Sequence, residues 1–126
     1  MQINLTSVAS NELSSLPKLL QLQILADFKN IPADLENIKS EKIGCLRRDG
    51  KMIYRFRAND YRIYFSPTPQ GLLIHRVLHK NTLDDFLYRS NLPLGEEDST
   101  LAGNKNFWKL LEPDEDENPN SSSGKR

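Results

Sequence analysis

Tyr54-Arg55-Phe56-Arg57-Ala58-Asn59-Asp60-Tyr61-Arg62-Ile63-Tyr64-Phe65 decides how this chain folds. Large apolar and cationic residues alternate with period two, break at Asn59-Asp60, and resume with aromatics. Such alternation marks a half-buried strand, and Asn-Asp tolerates the backbone angles of a tight turn. Tyr54 and Phe56 are expected to enter a core while Arg55 and Arg57 share the other face of the sheet. Cations on a rigid sheet face suit a polyanion such as RNA, or an acidic protein partner.

On the N-terminal side, Asp49-Gly50 is a two-residue hairpin signal between strands over 45–48 and 51–57. On the C-terminal side, 61–66 reads as the next strand, Pro67-Thr68-Pro69-Gln70-Gly71 as a longer turn, and 72–79 as the last strand. That last run is nearly continuous in apolar residues except for His75 and Arg76, which predicts a central strand covered on both faces. A helix is predicted over 82–89, with Thr82 as its N-cap and Asp84-Asp85 in its first turn. Further upstream, 2–6 reads as a short strand and 7–16 as a first helix. Pro17 opens a second helix that runs to Lys29, since its missing N–H is harmless in a first turn. In that helix Leu20, Ile24 and Phe28 recur at four-residue spacing, with Leu16, Leu19 and Leu25 widening the apolar stripe. Residues 33–42 read as a charged loop with a short helical turn.

The class predicted is α+β over residues 1–90: two N-terminal helices packed on a twisted antiparallel sheet, with a short C-terminal helix. A disordered acidic tail is expected over 91–126, because its composition offers little apolar surface to bury. One island stands apart there. Phe107, Trp108, Leu110 and Leu111 form an aromatic-aliphatic cluster that reads as a docking segment, onto its own basic domain or onto a partner.

The 126 residues leave room for one domain, and the net charge of zero hides a split. Residues 1–89 hold 13 Lys and Arg against 9 Asp and Glu, net +4, whereas 90–126 hold 4 against 8, net −4. That opposition predicts autoinhibition or partner docking, with Asp114-Glu115-Asp116-Glu117 meeting the Arg55, Arg57 and Arg62 surface. The one cysteine, Cys45, allows no internal disulfide and reads as a small buried hydrophobe. The first residues lack a signal-peptide pattern and no run is long enough to span a membrane, so a soluble, cytoplasmic protein is expected.

No Gly-rich phosphate loop or metal-ligand spacing is present. His75 and His79, four apart on a strand, would stand about 13 Å apart, too far to share one zinc. Neither metal nor small-molecule cofactor is expected. Metal-free RNA cleavage needs groups that move protons and donors for a dianionic phosphorane. Arginine forks match phosphate bidentately, and His or Tyr can handle protons. Arg55, Arg57, Arg62, Arg76 and Lys80 supply charge, His79 and Tyr88 supply proton-handling groups, and Arg48 and Lys51 extend the surface available to RNA.

The twelve-residue stretch, followed by Leu73-Ile74-His75-Arg76-Val77-Leu78-His79-Lys80 and preceded by Leu16-Pro17-Lys18, resembles the RelE/ParE toxin superfamily over residues 2 to 89. The RelE branch implies a ribosome-dependent mRNA endonuclease silenced by an antitoxin. By that resemblance Arg55 takes a second-strand basic position, Arg62 the arginine of the Tyr-Arg pair, and Lys80 the basic position after the last strand. Ile53 stands where some members carry a lysine, and Phe86 aligns with a terminal tyrosine that Tyr88 only neighbours. Arg76-Val77-Leu78-His79 is similar to the ParE branch, which implies a DNA gyrase inhibitor acting by contact. A non-catalytic regulatory binder with the same fold is the third implied reading. The partners implied are an antitoxin or other acidic protein, and the ribosome with its mRNA.

Overall fold

The computed structural model describes residues 2–31, 42–93 and 98–112. All but the last residue of the predicted loop over 33–42, and the acidic run Asp114-Glu115-Asp116-Glu117, lie outside those residues. The described elements are β1 (Gln2–Leu5), α1 (Ser7–Ser14), α2 (Lys18–Lys29), β2 (Ile43–Arg48), β3 (Lys51–Ala58), β4 (Tyr61–Thr68), β5 (Gly71–His79), α3 (Lys80–Arg89), α4 (Asp98–Ala102) and α5 (Lys105–Leu111). They form an α+β arrangement around one five-stranded sheet of order β1-β5-β4-β3-β2.

Turn chemistry sets the meander. Asp49 and Gly50 both take left-handed backbone, with φ of 52° and 82°, which matches the twist of a two-residue hairpin. Asn59 does the same at the second hairpin with φ of 55°. The third connection is tighter than the sequence suggests: Thr68 pairs with Gly71, leaving Pro69-Gln70 as the turn. The sheet is mixed, which corrects the expected antiparallel sheet. β1 runs parallel to β5, with Ile3 opposite Leu72 and Leu5 opposite Ile74, so β5 is an interior strand.

The two faces of the sheet carry separate cores. Ile24 and Phe28 of α2 and Ala9 and Leu13 of α1 bury against Tyr54, Phe56, Ile63, Phe65, Ile74 and Val77. Phe28 is the hub, its ring edge-on to Phe56 at 5.3 Å and to Phe65 at 5.0 Å. Leu19 departs from the predicted stripe and is 81% exposed, because it sits away from the Leu20–Ile24–Phe28 face. On the opposite face Leu46, Ile53, Tyr64 and Leu78 bury against Leu83 and Leu87 of α3, Leu101 of α4, and Phe107, Trp108 and Leu111 of α5.

A bulge places both cores on β5. Tyr64 pairs with Arg76 and Phe65 with Ile74, so His75 is an extra residue opposite no partner. That insertion lets Ile74 and Val77, three apart, face the same core. His75 Nε2 lies 2.8 Å from Ser66 Oγ, and its carbonyl accepts from Thr6 Oγ1 at 2.9 Å. Arg76 donates through Nε and Nη2 to Glu12 at 2.8–3.1 Å, and Glu12 also accepts from Val77 N–H, fixing α1 to β5.

Two further expectations are corrected. The last helix of the sheet domain begins at Lys80, and its N-cap is His79, whose Nδ1 accepts from Asn81 N–H at 3.0 Å; Thr82 lies inside the helix. Within the tail expected to be disordered, residues 98–112 form α4 and α5, and Leu101, Phe107 and Leu111 are fully buried. The reason is local and tertiary together. Asn104 Oδ1 caps α5 by accepting from Asn106 and Phe107 N–H, and the sheet offers an apolar face that sparse but well-spaced side chains can cover. Trp108 Nε1 then donates to Ala102 O at 2.8 Å, joining the two helices. Among the described residues, no helix is long and apolar enough to cross a membrane.

Candidate functional site

Alternation along β3 and β4 puts Arg55, Arg57 and Arg62 on the face that carries α3, α4 and α5. Their surroundings differ. Arg57 and Arg62 are directly opposed across the β3–β4 pair, next to the Asn59-Asp60 turn. Arg57 is exposed, and Arg62 donates from Nη1 to Asn59 O at 2.9 Å and Tyr61 O at 3.0 Å. Lys80 joins this end of the sheet, where its N–H donates to Asp60 O at 2.8 Å and its Nζ lies 3.6 Å from Asp60 Oδ1. That ion pair is exposed and contributes little.

Arg55 belongs to the next row, opposite Gly44 on β2 and Tyr64 on β4, and only 5% of it is exposed. Its Nη2 stands 3.3 Å from Asp98 Oδ2, at the start of α4. Burial lowers its pKa below the ordinary arginine value; Asp98 pulls it back up, while Arg57 and Arg62 push it further down. Gly44 makes the pair sterically feasible, since a Cβ there would collide with both Asp98 Oδ2 and Arg55 Nη2. Arg55 shares a sheet face with Arg57, but α4 covers it there.

The remaining sequence candidates are not gathered at one point. His79 lies on the other face of the sheet, its ring edge-on to Tyr61 at 5.0 Å and its Nδ1 used as a helix cap. Tyr88 is 77% exposed on α3. Arg48 and Lys51 sit at the opposite end of β3 from Arg57, about 20 Å away at normal strand rise. Both tie down the C-terminal helices: Arg48 Nη1 donates to Gly103 O at 2.7 Å, and Lys51 Nζ pairs with Glu112 at 3.1 Å. Arg76 does likewise from Nη1 to Leu110 O at 2.7 Å. Phe107, Trp108 and Leu111 are buried in the second core and Leu110 packs against it.

Sequence reasoning missed Glu12, Gly44 and Asp98. Asp98 had a signal, since it stands just before Leu101 as a carboxylate opening a helix. Among the described residues, no group of three His, Cys, Asp or Glu side chains could hold a metal ion.

No family model matches the chain, and no curated protein matches it. Among solved structures it is similar to a chain of the RelBE2 toxin–antitoxin complex from Mycobacterium tuberculosis, at 21% identity and a TM-score of 0.45, over 62% of this chain and 95% of that one. It is also similar to a chain of the RelB–RelE antitoxin–toxin complex from Methanococcus jannaschii, at 20% identity and a TM-score of 0.44, over 66% of this chain and 96% of that one.

Proposed function

We propose that this chain is a RelE-like protein of toxin–antitoxin type that binds RNA and acts on translation by contact, through the Arg57–Arg62–Lys80 end of its sheet. The observation that carries this reading is the direct opposition of Arg57 and Arg62. Like charges at a cross-strand pair destabilise a sheet. The pair concentrates positive charge at a hairpin end, which an anionic ligand complements. RNA phosphates supply that charge, and arginine forks bind them bidentately.

A metal-independent endoribonuclease is the second reading. It is supported by Arg55, which lies in the row beside Arg57 and Arg62, so that three guanidinium groups on one face could surround a phosphate. Mapping mRNA ends against ribosome position after induction separates the two readings, since a binder leaves the message intact.

Binding is tested with a labelled single-stranded RNA across a salt series. The double variant Arg57→Ala, Arg62→Ala is expected to bind at least tenfold more weakly at low salt, and to lose about 1.4 from the slope of log affinity against log salt, as two lost phosphate contacts require. Its folding stability is expected to change by no more than about 1 kcal/mol, because relief of the opposed charges offsets the loss of the Arg62 hydrogen bonds to Asn59 O and Tyr61 O. Equal affinity and slope in wild type and variant would rule the reading out.

A further inference from the structure

We propose that α4 and α5 form an intramolecular cap over the third arginine of the cationic face, latched by Asp98 on Arg55, and that RNA phosphate competes with Asp98 for that guanidinium. The proposal rests on the RNA-binding reading of Arg57 and Arg62 and adds its regulation.

The latch is under-satisfied. Arg55 is almost wholly buried, yet its Nε and Nη1 have no hydrogen-bond partner among the described residues. Its ion pair to Asp98, at 3.3 Å, is longer than the 2.7–2.9 Å typical of a charge-assisted bond. A buried cation held by one long contact recovers little of its desolvation cost. A phosphate offers several oxygens and a bidentate geometry that a single carboxylate oxygen does not provide at that spacing. Asp98 keeps 25% of its side chain exposed, so the latch is reachable from solvent.

The cap is also distinct from the first core of the molecule. None of its residues contributes to the core between the sheet and α1–α2, which is closed by Phe28 and its neighbours. The polar ties of the cap run to cations of the sheet: Arg48 to Gly103 O, Arg76 to Leu110 O, Lys51 to Glu112 and Arg55 to Asp98. Four large side chains, Leu101, Phe107, Trp108 and Leu111, hold it down, so it does not open freely without a competing ligand. Trp108 is the one tryptophan of the chain and lies inside the cap, which makes it a built-in reporter.

The test uses the full-length chain with two independent latch variants. Asp98→Asn removes the carboxylate charge. Gly44→Ala changes no charge and places a Cβ where Asp98 meets Arg55. Each is measured for binding of a single-stranded oligouridylate across a potassium chloride series, and for quenching of Trp108 by acrylamide. Both variants are expected to bind several-fold tighter at low salt, to steepen the salt slope by about 0.7, as one added phosphate contact requires, and to show more quenching. Adding Arg55→Met should abolish the gain. Unchanged slope and quenching in both variants, with binding still sensitive to Arg57→Ala and Arg62→Ala, overturns the cap and leaves the RNA reading standing. A gain that survives Arg55→Met overturns the latch. No RNA binding by wild type or either variant overturns both.

Discussion

Phe28→Ala is expected to lower folding stability by about 3–5 kcal/mol, the usual cost of truncating a fully buried phenylalanine. Phe28 has no exposed surface and its ring meets both Phe56 and Phe65, from adjacent strands. Its removal leaves a cavity that α2 cannot collapse into, since Ile24 already fills the turn before it. The loss should be global. Denaturant unfolding followed by far-UV circular dichroism and by Trp108 fluorescence should shift to the same lower midpoint for both probes. A drop below 1 kcal/mol would mean that α2 does not close the first core.

Phe107→Ala is expected to cost a comparable amount, about 3–5 kcal/mol, but locally. Phe107 is fully buried between Tyr64, at 5.4 Å edge-on, and Phe86, at 5.6 Å. Those contacts hold α5 to the sheet and to α3 and make no contribution to the core under α1 and α2. The same two probes should therefore separate, with Trp108 becoming solvent-exposed at a lower denaturant concentration than the circular dichroism transition. Coincident transitions would make α4 and α5 an inseparable part of one cooperative unit.

Much of the fold was legible because its signals are local. Asp49-Gly50 and Asn59-Asp60 set two hairpins through backbone angles that few other residues tolerate. The alternation from Tyr54 to Arg57 correctly divides core from cationic face, with Tyr54 and Phe56 buried in the first core. The parallel pairing of β1 with β5 was not legible. A four-residue strand carries no periodicity that names a partner some 70 residues away. His75 and Arg76 did interrupt the apolar run, but only the pairing register shows that the interruption is a bulge. His79 was missed as a cap because a ring nitrogen is not among the usual capping groups.

The candidate site was legible as a set of cations and illegible in its covering. Composition over 91–126 is dominated by charge and small polar residues. Helices as short as α4 and α5 do not hold in isolation; their order comes from Leu46, Ile53, Tyr64 and Leu78 beneath them. The charge split pointed to Asp114-Glu115-Asp116-Glu117, which lie outside the described residues. Within the described residues the carboxylate beside Arg55 is Asp98, ahead of the aromatic island, and its place gave no sign of that contact.

Perturbation mapping by two-dimensional nuclear magnetic resonance, with a short single-stranded RNA added to the isotope-labelled chain, tests the central claim most directly. The largest shifts should fall on the backbone amides of Arg57, Ala58, Asn59, Asp60, Tyr61 and Arg62 and on Lys80, and should weaken as salt rises. Shifts confined to α1 and α2 on the far side of the sheet, or no shifts at low salt, would contradict it.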